Sequence, residues 1–99
     1  MIEKNDVCIF MKGTKKQPQC GFSQYVAVLM KTYGVTEYKD VNVLADANVR
    51  EQIKEFSNWP TIPQVYIKGQ FIGGCDIMRE MHEDGSLKEL LAQEGIVEA

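Results

Sequence analysis

One cysteine, Cys20, lies where a loop leads into a predicted helix, and it is the residue best placed to do chemistry. Proline, glutamine and glycine in the stretch 17–21 favour a turn, whereas apolar residues recur at helical spacing from Tyr25 to Tyr33. Unpaired N–H groups and the helix dipole stabilise an anion at a helix start, which favours the thiolate of Cys20. By itself this position allows two interpretations, a reactive thiol or a small residue that packs in the core.

The residue three positions after Cys20 limits the redox chemistry that this thiol can perform. A C-x-x-C protein resolves a mixed disulfide with its second thiol, but here that position is Ser23, whose hydroxyl can only hydrogen-bond a thiolate. Cys75 is either a resolving thiol or a buried cysteine beside a Gly-Gly turn. Cys8 falls inside an apolar run and is predicted to lie in the core.

Length and composition predict one ordinary globular domain covering residues 1–99. Hydrophobic residues make up 44% and charged residues 25% of the chain. Eleven basic against fourteen acidic residues leave no electrostatic footprint for nucleic acid, and Lys15 and Lys16 are interpreted as solvated loop residues. Three cysteines without a close pair argue against a disulfide framework and a four-thiolate zinc site, which fits a reducing compartment. We expect no membrane span, and no targeting segment is visible at the start.

The first half of the chain predicts alternating strands and helices. Val7–Met11 is a nearly continuous apolar run typical of a central strand, and a helix from about Phe22 to Tyr33 follows, ended by Gly34. A weaker strand is expected within 35–43. Asp46 can cap a helix over about 47–56, with Val49, Ile53 and Phe56 on one face. Strand, helix, strand, helix implies a right-handed crossover between parallel strands.

The second half predicts a hairpin followed by two helices. Two prolines in Trp59–Pro63 end the preceding helix, and β-rich runs at 64–67 and 71–74 flank a Gly-containing turn. A helix is predicted from about Cys75 to His82, and Ser86 with Glu89 forms a possible capping box for a last helix. The expected order is therefore βαβα-ββαα.

Four motifs together give the chain a specific resemblance. They are Lys12-Gly13-Thr14, CGFS at 20–23, WPTIPQVYI at 59–67 and GGCD at 73–76. In this order and spacing they closely resemble the monothiol glutaredoxins of the CGFS type, over almost the whole chain. The resemblance implies an α/β, thioredoxin-like fold: a four-stranded mixed sheet flanked by helices, with a cis peptide bond before Pro63.

The resemblance also implies a site around Cys20 for glutathione or a related glutathionyl thiol. The residues it assigns to that site are Lys12, Phe22, Arg50, Lys54, Thr61, Ile62, Pro63, Gly74, Cys75 and Asp76. Lys12 would favour the thiolate and a glutathione carboxylate, Arg50 would pair with the glycyl carboxylate, and Lys54, one helical turn later, could assist. For Lys12 and Arg50 the alternative is a solvated cation.

Other assignments concern the peptide part of the ligand. The backbone of Ile62 would pair with glutathione in a strand-like manner, and Gly73 and Gly74 would permit close approach. Cys75 and Asp76 would present N–H groups and a carboxylate to the γ-glutamyl end, while Asp76 could also cap a helix. Phe22 would shield the ligand or simply belong to the core.

A ligand count connects Cys20 with an iron-sulfur cluster. A 2Fe-2S cluster held by thiolates needs four of them, and this chain offers one good candidate. In the family two glutathione molecules supply the missing pair and the cluster bridges a homodimer, whereas the apo form is monomeric. The implied function is a cluster carrier with Cys20 as the metal ligand; the alternative is a glutathione-dependent thiol-disulfide oxidoreductase with little activity.

The resemblance extends to partners and location. It implies BolA-like proteins, iron-sulfur assembly chaperones and acceptor apoproteins as partners. The mitochondrial matrix is the expected location, with the cytoplasm or a plastid as alternatives. Two further residues are assigned no chemistry: Trp59 is interpreted as a packing residue, and His82 has no second histidine with which to bind a metal.

Overall fold

One mixed sheet forms the centre of the fold in the computed structural model, which describes residues 5–97. Its strands are β1 (Val7–Met11), β2 (Lys39–Asn42), β3 (Gln64–Ile67) and β4 (Gln70–Gly73). They lie in the order β2-β1-β3-β4; β1 is parallel to β2 and antiparallel to β3, and β4 is antiparallel to β3. The predicted four-stranded mixed sheet is confirmed.

Four helices flank this sheet within the described residues. They are α1 (Gly21–Thr32), α2 (Ala47–Ser57), α3 (Cys75–Asp84) and α4 (Ser86–Gln93). The order βαβα-ββαα agrees with the prediction. Between residues 5 and 97 no helix has the length and apolar character that a membrane crossing requires.

Strand β1 builds a core on both faces of the sheet, because its side chains alternate and all of them are buried. Val7, Ile9 and Met11 pack with residues of α1, α3 and α4. Cys8 and Phe10 point to the other face and join a cluster that includes Ile53 of α2. Cys8 is fully buried, as predicted, and burial raises the pKa of its thiol, which leaves it unreactive.

Two predictions for the first half of the chain need correction. The second strand begins only at Lys39, because Gly34 (φ 77°) reverses the chain after α1 and the Val35 N–H bonds the Met30 carbonyl at 2.8 Å. Phe56 is 69% exposed, so of the three residues predicted to form one face of α2, Ile53 is the one that is buried.

The predicted capping box at Ser86 does not form. Helices α3 and α4 share the single residue Gly85 between them, and no side chain caps α4. The Ser86 N–H instead bonds Oδ1 of Asp84 at 2.8 Å. With one residue between the helices, Ser86 is already the first residue of α4 and cannot serve as its cap.

The sheet brings three separate segments of the chain to one edge. The end of β1 lies beside the start of β3, since Phe10 pairs with Gln64, and the end of β4 lies beside the same start, since Val65 pairs with Gly73. The residues that follow β1, precede β3 and follow β4 therefore meet. All of the remaining motifs from the sequence are in these segments.

Candidate functional site

Cys20 is the N-cap residue of α1. Its backbone is extended (φ −148°, ψ 159°), its carbonyl accepts the first helical bond from Gln24 at 2.9 Å, and its Sγ accepts a hydrogen bond from the Ser23 N–H at 3.4 Å. The thiol is partly exposed. The predicted position at a helix start is confirmed, and the interpretation as a buried packing residue is excluded.

The surroundings of Cys20 favour its thiolate. Partial burial on its own would raise the pKa, but hydrogen bonds from the Ser23 hydroxyl, the Ser23 N–H and the Phe22 N–H, and the charge of Lys12, outweigh it. The net effect lowers the pKa of Cys20 below its ordinary value. Cys20 therefore combines access with thiolate character, the two properties of a reactive or metal-binding cysteine.

Ser23 holds the thiol and the preceding loop together. It is fully buried, its Oγ lies 3.4 Å from Sγ of Cys20, and the same oxygen accepts a hydrogen bond from the Lys12 N–H at 3.0 Å. A serine here can donate to the thiolate and still satisfy the backbone at the end of β1. Ser23 is thus a partner of the thiolate and offers no second thiol.

The loop 12–19 is tied to β2, which corrects the interpretation of Lys15 as a solvated residue. The Lys15 ammonium donates to the carbonyls of Thr36 (3.2 Å) and Tyr38 (2.9 Å) and lies 4.6 Å from the centre of the Tyr38 ring. Its N–H bonds Asp40 at 2.9 Å. The loop that precedes Cys20 is therefore anchored to β2 and the residues before it. Lys16 is exposed, as expected.

A cleft of about 320 Å³ opens next to Cys20 at the shared sheet edge. It is lined by Lys12, Phe22, Arg50, Lys54, Trp59, Pro60, Thr61, Ile62, Pro63, Gly74, Cys75 and Asp76. All ten residues assigned to glutathione from the sequence are in this set. Cys20 itself is not, but its thiol interacts electrostatically with the lining residues Lys12 and Cys75. The structure places the predicted residues together; their roles in binding remain predictions.

The charge of the cleft is positive. Arg50 and Lys54 lie one turn apart on α2, whose N-cap Asp46 binds the Asn48 N–H at 2.9 Å as predicted, and Lys12 faces them from the end of β1. The Nε of Arg50 is buried and has no hydrogen-bond partner among residues 5–97. A buried donor without a partner is costly, so this atom calls for an acceptor from a ligand or water.

The acidic residue of the cleft is already partnered. Asp76 bonds Arg79 at 3.0 Å and is exposed, and it lies in the first turn of α3, whose N-cap is Gly74. The alternative role of Asp76 as the helix cap is therefore wrong. Its carboxylate remains accessible at the mouth of the cleft.

The segment before β3 presents free backbone groups. The peptide bond between Ile62 and Pro63 is cis, as the resemblance implied. The Ile62 side chain is buried, yet neither its N–H nor its carbonyl has a hydrogen-bond partner within residues 5–97. This backbone can accept an extended peptide in strand-like pairing.

The two glycines after β4 have different roles, although the sequence assigned both to ligand approach. Gly73 has φ 152°, and a Cβ there would lie 2.7 Å from Cβ of Ile77, so this glycine serves the packing of α3. A Cβ on Gly74 would lie 3.0 Å from the Pro63 carbonyl oxygen and 3.3 Å from Nε1 of Trp59. Of the two, only Gly74 lines the cleft, and a side chain there would crowd two other lining residues.

Cys75 borders the cleft and is partly exposed, so the interpretation as a buried cysteine is wrong. Burial nevertheless raises the pKa of its thiol, and the negative charges of Asp76 and Cys20 raise it further against the opposing effect of Arg79. Cys75 is accessible but mainly protonated at neutral pH.

Sequence reasoning missed two lining residues, Trp59 and Pro60. The ring of Trp59 packs 5.6 Å from that of Phe71, as a packing residue should, but its buried Nε1 has no hydrogen-bond partner among residues 5–97. The available signal was their place in the WPTIP motif. His82, assigned no role, is bonded to the Tyr33 hydroxyl at 2.6 Å.

The donor set of the cleft suits a small, extended anionic peptide. Cations, unpaired N–H donors and free backbone groups line it, and the thiol of Cys20, whose pKa is lowered, interacts electrostatically with two of its lining residues. In the part of the chain from 5 to 97, no three His, Cys, Asp or Glu side chains converge on a metal position.

Sequence comparisons agree with this architecture. The glutaredoxin family profile matches residues 7–72. The zebrafish (Danio rerio) protein "Glutaredoxin-related protein 5, mitochondrial" is 53% identical over 97% of this chain, which spans 62% of that protein's length. A "Probable monothiol glutaredoxin 2" of Rickettsia typhi is 50% identical over 94% of this chain, and the match covers 83% of the Rickettsia protein's length.

Solved structures show the same fold. The mature form of Trypanosoma brucei 1CGrx1 superposes with a TM-score of 0.85 at 43% identity, over 97% of this chain and 67% of that one. A buckwheat glutaredoxin solved as a glutathione complex superposes with a TM-score of 0.82 at 26% identity, over 97% of this chain and 84% of that one.

Proposed function

This chain belongs to the glutaredoxin family, within its monothiol members, and on that premise we propose that it carries a glutathione-ligated 2Fe-2S cluster for delivery to acceptor proteins. The observation that carries the proposal is the pairing of one thiol of lowered pKa, Cys20, with a cationic cleft. The thiol would bind iron and the cleft would bind glutathione. The cluster is the cargo of this protein.

Glutathione matches the cleft in charge and in hydrogen-bonding groups. Its two carboxylates match the cations Lys12, Arg50 and Lys54, and one of them can supply the acceptor that the buried Arg50 Nε lacks. Its peptide groups match the unpaired backbone of Ile62. The buckwheat relative, crystallised with glutathione, supports this ligand.

The ligand count favours a shared cluster. A thiolate-held 2Fe-2S cluster takes four thiolates, and of the three cysteines of the chain only Cys20 has a lowered pKa. Two chains would supply two Cys20 thiolates, and one glutathione bound to each chain would supply the rest. We therefore propose a homodimer bridged by the cluster and a monomeric apo form.

Anaerobic reconstitution with iron, sulfide and glutathione tests the assignment. Wild type and Cys20→Ser are compared with Cys75→Ser as the matched control, because Cys75 lines the cleft and its thiol interacts electrostatically with that of Cys20. We expect iron, acid-labile sulfide and visible absorption in wild type and Cys75→Ser, and none above background in Cys20→Ser. Equal iron and sulfide in Cys20→Ser would overturn the assignment.

A second candidate function is suggested by the same lowered pKa. As a thiol-disulfide oxidoreductase, the Cys20 thiolate would attack a glutathionylated substrate and release its thiol, and a second glutathione would then displace the adduct as glutathione disulfide. A glutathione-coupled reduction assay on cluster-free protein distinguishes the two. Rapid turnover abolished by Cys20→Ser would favour the oxidoreductase; we expect little turnover.

Location and protein partners belong to the same proposal. The zebrafish relative is named as a mitochondrial protein, which supports the mitochondrial matrix, while the Rickettsia relative is bacterial. Cell fractionation of the tagged full-length protein tests this. BolA-like proteins, assembly chaperones and acceptor apoproteins are the proposed partners, to be sought by affinity capture of the cluster-loaded form.

A further inference from the structure

A buried glutamine lies directly beneath the peptide-binding side of the cleft. Gln64 is the first residue of β3, follows Pro63, and is fully buried. Burying an amide without hydrogen bonds is costly. The proposed function assigns no role to this side chain, so its hydrogen bonds need an explanation.

The Gln64 amide is bonded on both ends. Its Nε2 donates to the carbonyls of Trp59 (3.1 Å) and Thr61 (3.2 Å), and its Oε1 accepts from the Tyr66 hydroxyl at 3.1 Å. Carbonyl oxygens only accept, so the orientation of the amide is fixed, because a flipped amide would place oxygen against both carbonyls. The Tyr66 hydroxyl must then be the donor to Oε1.

The Thr61 carbonyl lies in a segment with few other backbone ties, and the Trp59 carbonyl lies just before that segment, where the Trp59 N–H bonds the Lys54 carbonyl at 3.1 Å. Between α2 and β3, residues 60–63 make no backbone–backbone hydrogen bond with any residue from 5 to 97. The segment nevertheless lines the cleft with Trp59, Thr61 and Ile62. Hydrogen bonds from Gln64 to the carbonyls on either side of Pro60 therefore anchor a segment that the sheet does not hold.

We infer that Gln64 is a positioning residue for glutathione: its Nε2 fixes the Trp59–Ile62 segment so that the free backbone of Ile62 faces the peptide. This inference rests on the proposed function for its ligand. Gln64 does not line the cleft and acts through the carbonyls it holds. Small displacements of a positioning group weaken binding strongly, because the ligand's hydrogen bonds depend on direction.

Tyr66 provides a matched control within the same network. It is buried, burial raises the pKa of its phenol against the opposing effect of the Ser57 hydroxyl, and it therefore remains a protonated donor at neutral pH. Tyr66→Phe removes the bond to Oε1 but leaves both bonds from Nε2 to the segment. Gln64→Met removes both anchoring bonds at similar volume, and Gln64→Glu replaces the donor with an acceptor.

Calorimetric titration of the full chain with reduced glutathione tests the inference, with unfolding free energies measured in parallel. Loss of the anchoring bonds should weaken glutathione binding about tenfold in Gln64→Met and Gln64→Glu, whereas Tyr66→Phe should stay within about twofold of wild type. Wild-type affinity in both Gln64 variants, or an equal loss in Tyr66→Phe, would overturn the inference.

A structural readout separates this inference from the proposed function. If wild type binds no glutathione, the proposed function fails. The anchoring role of Gln64 is then tested separately, by measuring the carbonyl ¹³C chemical shifts of Trp59 and Thr61. We expect these two shifts to change in Gln64→Met and to stay near wild type in Tyr66→Phe. Unchanged shifts in Gln64→Met would contradict the anchoring role.

Discussion

Two helices begin with a cysteine at the same cleft, yet their thiols differ in pKa. Cys20 is the N-cap of α1, and its sulfur accepts the Ser23 N–H. Cys75 is the first residue inside α3, behind the N-cap Gly74, and no side chain caps that helix. The pKa of Cys20 is lowered and the pKa of Cys75 is raised.

The difference shows that a helix start alone does not activate a thiol. Both cysteines lie near a helix dipole, but the N-cap position lets the Cys20 sulfur receive hydrogen bonds from the next residues of its helix, and Lys12 adds a positive charge. Cys75 instead has Asp76 and the Cys20 thiolate as neighbours. Hydrogen bonds and neighbouring charges therefore decide which of the two cysteines favours its thiolate.

The largest expected effect comes from replacing each of the two cysteines with serine, in two separate variants. In Cys20→Ser the thiolate is gone, so iodoacetamide labelling at neutral pH should fall on the order of a hundredfold, to the slow rate of Cys75. In Cys75→Ser the rapid rate should persist. The rates are followed by mass spectrometry of the intact chain, and comparable rates for both cysteines would break the comparison.

The next effect concerns recognition. Arg50→Met should weaken glutathione binding by about tenfold or more, because a charge-assisted hydrogen bond contributes about 1.5–3 kcal/mol. The pH profile of Cys20 labelling should stay unchanged, since Arg50 is not among the groups that shift the Cys20 pKa.

Arg79→Met is the matched control for Arg50→Met. Arg79 is an exposed arginine that pairs with Asp76, and such surface pairs contribute little. Calorimetry with reduced glutathione should show at most about a twofold change for this variant. Equal losses in the two arginine variants would mean that net charge, and no specific contact, determines affinity.

A smaller effect is expected at Ser23. Ser23→Ala removes the hydroxyl that donates to the Cys20 thiolate, so the pKa should rise and labelling at pH 7 should fall by a factor of about three to ten. Because this loss acts through the thiolate fraction, the rates of variant and wild type should converge at high pH. A constant ratio across the pH range would contradict the assigned role.

The smallest expected effect is on stability: the contributions of Cys20 and Cys75 to the free energy of unfolding should change with pH in opposite directions. The folded pKa of Cys20 lies below its unfolded value, so its contribution is present above the unfolded pKa and is lost as the pH falls through the folded pKa. The folded pKa of Cys75 lies above its unfolded value, so its contribution is present below the unfolded pKa and is lost as the pH rises through the folded pKa.

Urea unfolding of wild type, Cys20→Ser and Cys75→Ser around the ordinary thiol pKa of 9.0 measures these two contributions. With rising pH the stability difference between wild type and Cys20→Ser should grow, and that between wild type and Cys75→Ser should shrink. Slopes of the same sign would show that one of the two pKa directions is wrong.

Sequence patterns were sufficient to predict those elements that depend mainly on neighbouring residues. The run Val7–Met11 and the helix after Cys20 follow from hydrophobic period alone, and the Asp46 cap from its residue type. That Lys12, Arg50 and Gly74 lie together was predicted from the resemblance. No local pattern in the sequence shows which segments meet at an edge of the sheet.

Long-range contacts account for what sequence reasoning missed. Lys15 looked solvated because its partners, two carbonyls before β2, lie more than twenty positions away. Cys75 looked buried because the sequence does not show the cleft, which it lines together with residues 59–63. Ser86 failed as a cap because the spacing between α3 and α4 is decided by their packing on the core.

The most direct test of the central claim is the composition of the reconstituted complex, measured by native mass spectrometry under anaerobic conditions. If Cys20 is the one competent thiolate of each chain, the complex should contain two chains, two glutathione molecules and one 2Fe-2S cluster, and Cys75→Ser should give the same composition. A dimer that holds its cluster without glutathione, or that needs Cys75, would contradict the account.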